Sequence, residues 1–175
     1  QGGPETERAP AWSGAGAGVG TEAMFRFDPP TLRERPDGAF AVRRPVRFQD
    51  VDAAGIAFFP RILEYFHDAL LEFLQAHRQP VDAAIREGSC GLPLRHAEGD
   101  FLSPLRFGDR VEVALVRVAI EPTEVTVGYR VEREADGVVA AVGQTAHVAV
   151  TLSTFRRTEL PPGLRAAFET LPQQR

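Results

Sequence analysis

Arg47-Phe48-Gln49-Asp50-Val51-Asp52-Ala53-Ala54-Gly55-Ile56-Ala57-Phe58-Phe59-Pro60 is the stretch in which the periodicity of this chain changes from strand to helix. Upstream, from Ala39 to Gln49, the apolar residues Phe40, Val42, Val46 and Phe48 share one parity. That is the two-residue period of a half-buried strand, and Pro45 assigns part of it to a sheet edge. Downstream, Pro60 suits the start of a helix, where its missing N–H is not needed. From about Pro60 to His77, Ile62, Phe66, Ala69, Leu70 and Phe73 form a broad apolar face, and Arg61, Glu64, Asp68, Glu72 and Gln75 a polar stripe. A helix this apolar, with strands around it in sequence, predicts a sheet that wraps it.

Farther out the pattern is consistent. The region with Gly88, Gly91 and Pro93 reads as loop, and strands follow. Val111, Val113 and Leu115 alternate, and Val116, Val118 and Ile120 then take the opposite parity, which predicts a bulge. Val125, Val127, Tyr129 and Val131 alternate cleanly, and Ala135-Asp136-Gly137 signals a hairpin into a long strand from Val138 to about Phe155. Pro161 and Pro162 open a short helix near Leu164 to Leu171. The order is an α+β pattern, one antiparallel sheet on one long helix, in a single domain over residues 38–172. Residues 1–24 are rich in glycine without apolar periodicity and are expected to be disordered; Phe25 to Gly38, with three prolines, reads as irregular lead-in.

Composition excludes several chemistries. All 20 basic residues are arginine, so there is no lysine for a Schiff base or a phosphate-loop contact. A net charge of −4 argues against a general nucleic-acid binder. A single cysteine, Cys90, precludes an intrachain disulfide and a multi-cysteine zinc site. No run approaches the roughly 20 apolar residues of a membrane span, and a cytoplasmic protein without membrane association is the expectation.

Within the opening stretch, Asp50 and Asp52 precede Gly55 and a helix N-terminus. A helix start offers unpaired N–H groups and partial positive charge for a developing oxyanion, and a glycine admits close backbone approach. A carboxylate beside it can attack a carbonyl or serve as general base for water. The plainer reading of such an aspartate is a helix cap or an Asx-turn.

The stretch closely resembles the signature of the 4-hydroxybenzoyl-CoA thioesterase family of hotdog-fold proteins, a D-x-D-x-x-G-x segment before an aromatic residue and the long central helix. FLSPLRFGDRVEV (101–113) and DGVVAAVGQTAHVAV (136–150) resemble its later strands, and the likeness covers about residues 38–160. It implies a hotdog fold and hydrolysis of an aromatic or short- to medium-chain acyl-CoA to free acid and CoA. Asp52 is implied as nucleophile or general base, with the backbone N–H of Phe59 polarising the carbonyl and Asp50 organising the loop. Phe59 stands where many relatives carry tyrosine or histidine. No cofactor or metal is implied. The implied partners are acyl-CoA, with an acyl-carrier-protein thioester as the other carrier, and further copies of the chain in a homodimer or homotetramer. A non-catalytic acyl-binding protein is the rival; a dehydratase lacks its histidine, since none stands between Gln49 and Pro60.

Further candidates follow. Phe58 is expected in the acyl pocket wall, and His67, on the border of the helix's polar and apolar faces, is a candidate for touching the acyl group. His96, Glu98 and Asp100 share strand parity; this row could position water for a partner's Asp52, or be a solvated sheet face. Cys90 has no visible base and is not expected to be a nucleophile. The turn that is basic in relatives reads Glu121-Pro122-Thr123-Glu124 here, so Arg106, Arg110, Arg130, Arg156 and Arg157 are the candidates for the coenzyme A phosphates.

Overall fold

The computed structural model describes residues 27–174; the expectation for residues 1–24 lies outside them. Five strands form one antiparallel sheet in the order β1 (Phe40–Pro45), β4 (Arg110–Ile120), β5 (Glu124–Arg133), β6 (Val139–Val148) and β3 (Leu94–Phe101). Across its inner face lies α2 (Phe59–Ala76), which buries Ile62, Tyr65, Phe66, Ala69, Leu70, Phe73 and Leu74. Val125, Val127, Tyr129 and Val131 of β5 meet it, as their alternation predicts. The parity change in β4 is a register shift between Leu115 and Arg117: Val113 and Leu115 before it and Val118 after it face α2, while Ala114 and Val116 belong to a second core on the outer face.

A close helix–sheet contact rests on two glycines. Gly99 of β3 and Gly143 of β6 are cross-strand partners, and the Phe66 ring lies against them. A Cβ on Gly143 would stand 2.6 Å from that ring and 2.4 Å from the Glu98 carbonyl oxygen. The other face of Phe66 stacks on Tyr129, with centroids 4.7 Å apart. A buried polar chain holds Tyr129. The Leu92 carbonyl can only accept, so His147 Nδ1 carries the proton and donates at 3.1 Å; Nε2 then accepts from the Thr145 hydroxyl at 2.9 Å, and Thr145 accepts from Tyr129 at 2.9 Å. Burial holds the His147 pKa down, which keeps the imidazole neutral as this chain requires.

Four expectations are corrected. Residues 25–38 are not irregular throughout: Asp28 caps a short helix, α1 (Pro29–Arg33), by accepting from the Thr31 N–H, and Pro29 and Pro30 occupy the first helical positions where no N–H is needed. Phe27 and Leu32 cover the outer face of the sheet, where Gln144 bonds both the N–H and the carbonyl of Phe27, at 3.2 and 3.1 Å. Gly128 leaves room for Leu32. The stretch before Gly88 forms α3 (Val81–Glu87), which buries none of its residues and therefore gives a weak apolar period. The first strand stops at Pro45; Arg47 and Asp50 close a 3-10 turn on each other, leaving Phe48 exposed. The long final strand breaks after Val148. The short strands β2 (Cys90–Gly91), β7 (Val150–Thr151) and β8 (Arg156–Arg157) form a separate small sheet, and α4 (Pro162–Glu169) follows, packed through Phe168 against Phe73, after which Gln173 bridges to Val118 of β4. Among the described residues, no helix is long and apolar enough to cross a membrane.

Replacing Gly143 by alanine places a methyl group against both the Glu98 carbonyl and the Phe66 ring. Chemical denaturation is expected to show a loss of about 1–3 kcal/mol, the cost of overpacking a filled core; an unchanged midpoint would contradict the packing described.

Candidate active site

The segment between β1 and α2 is a tight hairpin fastened at its base. Asp50 is fully buried. Its carboxylate accepts from the Arg47 backbone N–H at 2.8 Å, from the Arg47 guanidinium at 3.1 and 3.2 Å, and from the Tyr65 hydroxyl at 2.9 Å. Its carbonyl accepts from the Phe58 N–H at 2.8 Å. Burial disfavours the carboxylate, but the bonds from Arg47 and Tyr65 outweigh it and hold the Asp50 pKa below its usual value. Burial and the bond to Asp50 push the Tyr65 phenol up. Tyr65 is the residue that sequence reasoning missed. Its signal was a hydroxyl on the apolar face of a helix, which requires a buried partner.

Asp52, two residues on, is exposed at the tip. The tip is closed by Asp52 N–H to the Ile56 carbonyl and Gly55 N–H to the Asp52 carbonyl, both 2.9 Å, with Gly55 at φ +75°. Asp52 Oδ1 accepts from the Ala54 N–H at 2.8 Å, so the Asx-turn of the plainer reading is present. It occupies one carboxylate oxygen. Gly55 shapes the turn, and its N–H is already used.

The start of α2 offers a donor. Phe58 N–H bonds Asp50, Arg61 N–H bonds the Phe58 carbonyl, and Pro60 has none. Phe59, first in the helix, has no intrahelical acceptor, so its N–H is the one left over in this turn. Asp52 and Phe59 line one cavity of about 410 Å³, whose other walls include Ile56, Ile62, Phe101 and Leu105. Leu105 holds the hairpin by accepting from Ala57 N–H at 2.8 Å. The loop from Leu102 to Leu105 was not foreseen as pocket wall.

The other candidates are distributed differently. Phe58 stands outside this cavity, edge-to-face with Phe59 at 5.1 Å. His67 is exposed on the flank of α2 beside a second cavity toward the other end of the helix. His96 and Glu98 hydrogen-bond each other at 3.1 Å, and Glu98 bonds Gln144, on the sheet face opposite α2; one chain does not bring them to Asp52. Arg106 is exposed on the loop beside the cavity. Arg110 pairs with Glu134, and Arg130 is buried against Glu132 and the Arg33 carbonyl, so both are engaged. Arg156 and Arg157 are exposed on β8. Burial pushes the Cys90 thiol up, away from the thiolate a nucleophile needs.

Residues 46–168 match the family model of the thioesterase-like superfamily. The chain belongs to the thioesterase-like superfamily. It is a thioester hydrolase of the hotdog fold. The 1,4-dihydroxy-2-naphthoyl-CoA hydrolase of Nostoc punctiforme is 34% identical over 134 residues, 75% of this chain and 88% of that one. Its namesake in Picosynechococcus is 30% identical over 139 residues, 77% and 95% of the two chains. Among solved structures, a 1,4-dihydroxy-2-naphthoyl-CoA thioesterase from Synechocystis superposes with a TM-score of 0.71 at 28% identity, covering 74% of this chain and 95% of that one. A gentisyl-coenzyme A thioesterase gives 0.65 at 26%, covering 73% and 98%. The agreement is with the superfamily; these relatives do not single out the 4-hydroxybenzoyl-CoA branch that the motif resembles.

Because the Asp50 pKa is lowered on folding, its contribution to the stability of the thioesterase is fully present above the unfolded carboxyl value near 3.9 and is lost as pH falls through the lower folded value. Denaturation measured from about pH 6 down to about pH 2 should show this loss in the wild type. Asp50→Asn should be less stable at neutral pH by about 2 kcal/mol, the worth of charge-assisted bonds, and should lack that part of the acid dependence.

Proposed function

We propose that this thioesterase hydrolyses an aromatic or short acyl-CoA thioester, with Asp52 as the reacting carboxylate and the Phe59 N–H as the carbonyl's donor. The observation that carries the reading is their meeting at the start of α2 on one apolar cavity. The acyl group enters between Ile62, Phe101 and Leu105, and the carbonyl oxygen accepts from Phe59. Asp52 attacks the carbonyl carbon or takes a proton from the water that does. The oxyanion forms against the helix N-terminus, where one such donor is worth about 3–4 kcal/mol in the transition state. The sulfur leaves as thiolate; with a thiol pKa near 8.5, it departs without a protonating group. The names of the naphthoyl- and gentisyl-thioester relatives support an aromatic acyl group.

Two copies would pair along β3, one of the two edges of the sheet, beside the exposed Phe58, Phe59 and Phe101. An antiparallel two-fold pairing sets the Leu94 end of one copy against the Phe101 end of the other. The small sheet of β2, β7 and β8 stands at the Leu94 end, since Cys90 and Gly91 come just before Leu94 in the chain. Arg156 and Arg157 of the second copy then join Arg106 of the first around the mouth of the cavity, where they would hold coenzyme A phosphates.

Free-thiol release across aryl-, branched- and straight-chain acyl-CoAs tests the chemistry. Asp52→Asn is expected to lower kcat by about 10²–10⁴-fold with little change in KM. Wild-type rates in that variant on every substrate would overturn the assignment, and tight binding without thiol release in the native protein would establish the non-catalytic rival. For the carrier, replacing Arg106, or Arg156 with Arg157, by alanine should raise KM for acyl-CoA about ten-fold or more, as befits lost charge-assisted phosphate contacts. KM for the matching N-acetylcysteamine thioester, which has no phosphates, should stay as it was.

A further inference from the structure

Asp50 reaches α2 at two levels. Its backbone carbonyl accepts from the Phe58 N–H at 2.8 Å, just ahead of the first turn, and its Oδ2 accepts from the Tyr65 hydroxyl at 2.9 Å, nearly two turns into the helix. Phe59 lies in the segment between these two bonds. Asp52 follows Asp50 by two residues, and Val51 between them is paired with Ala57 on the other arm of the hairpin. The bonds on the Asp50 carboxylate differ in what they join. Those from the Arg47 N–H and guanidinium link residues three apart and hold Asp50 to its own turn. Among the described residues, Tyr65 supplies the one hydrogen bond that this carboxylate receives from α2, with Arg61 Nε standing off at 3.9 Å. Tyr65 is itself well fixed. It is only 2% exposed, and the Arg44 guanidinium of β1 lies over its ring at 5.5 Å, tied to Asp68 and Glu72 of α2 at 2.6 and 2.9 Å. Tyr65 does not line the Asp52 cavity, so its hydroxyl bears on the groups there through Asp50.

We propose that Tyr65 is a positioning residue of the thioesterase reaction, its bond to Asp50 setting where the Asp52 carboxylate stands relative to the Phe59 N–H. This rests on the reading of those two as the reacting pair. Without the hydroxyl, Asp50 keeps its Arg47 bonds and the hairpin keeps its own closing bonds, so the fold survives. What is lost is the side-chain tie between hairpin and helix. Asp52 and Phe59 have to meet the carbon and the oxygen of one carbonyl, about 1.2 Å apart, so a small drift of the hairpin against the helix takes one group off its target while the other stays. The apolar walls that receive the acyl group are unchanged. Turnover therefore suffers and binding does not.

Tyr65→Phe, which keeps the ring, is the test. On the best acyl-CoA of the thiol-release panel it is expected to lower kcat about ten-fold while KM stays within about two-fold of the wild type. Asp28→Ala is the control for stability, since it removes the cap of α1 on the outer face of the sheet. It should lower the melting temperature by a few degrees, as Tyr65→Phe does, and leave kcat as it was. Acid denaturation gives a second reading. With one donor fewer, the folded pKa of Asp50 rises toward its unfolded value, so the part of the stability that Asp50 contributes should be smaller in Tyr65→Phe and its loss complete at a higher pH. An unchanged kcat in a Tyr65→Phe protein that melts cooperatively would overturn the proposal. So would a fall in kcat matched by Asp28→Ala, an acid limb that does not move, or a Tyr65→Phe chain that fails to fold, which would make Tyr65 a core residue only. Asp52→Asn separates the two claims. Wild-type turnover in that variant defeats the site reading, whereas an Asp52-dependent reaction indifferent to the Tyr65 hydroxyl defeats the positioning alone.

Discussion

The Phe66 ring, seated on Gly99 and Gly143 and stacked on Tyr129, fixes how closely α2 lies on its sheet. A helix resting on Cβ-bearing residues at that point would be lifted, and the elements on either side would move with it. Ile62 would withdraw from the Asp52 cavity at one end, and Leu70 and Leu74 from the distal chamber at the other. The contact is also rigid from below. Tyr129 is held by a hydrogen-bond chain whose directions are forced by the Leu92 carbonyl, and such a fully satisfied buried chain resists rearrangement. The depth of the helix and the position of its first turn follow from this packing.

That first turn matters because the hairpin before it is tied to it. Asp50 joins Arg47, Tyr65 of α2 and the Phe58 N–H, so the hairpin cannot shift independently of the helix. Asp50 and Asp52 are the same residue type two positions apart, and burial sets them in opposite environments. Asp50, without exposed surface, spends its acceptor capacity on three donor groups and is ionised for structural reasons. Asp52, exposed at the tip, engages Oδ1 with the Ala54 N–H and lines the cavity.

How much of this was legible follows from where the information resides. The helix, the alternating strands, the bulge in β4 and the hairpin at Asp136 were readable because each buries a regular stripe, and burial imposes the period that sequence displays. α1 and α3 were not, since one buries Leu32 alone and the other buries nothing. The end of the first strand was hidden because a local side-chain bond between Arg47 and Asp50 overrides the parity of Phe48. The two aspartates and the Phe59 N–H could be singled out from local pattern and resemblance. Tyr65 and the loop at Leu102 to Leu105 reach the site from 15 to 50 residues away in the chain, as roughly counted along it, and no short-range signal reports such contacts.

The proposed site, one carboxylate and one backbone donor, suits a thioester better than an ester or amide. An alkoxide or amine leaving group would require a proton at the moment of departure, and the side chains lining the Asp52 cavity include no histidine, lysine or tyrosine to supply it. Thiolate does not require one. With the carbonyl carbon against Asp52 and its oxygen against Phe59, as proposed, the chemistry would rest on placement, and placement would depend on how the acyl group fills the space between Ile62, Phe101 and Leu105.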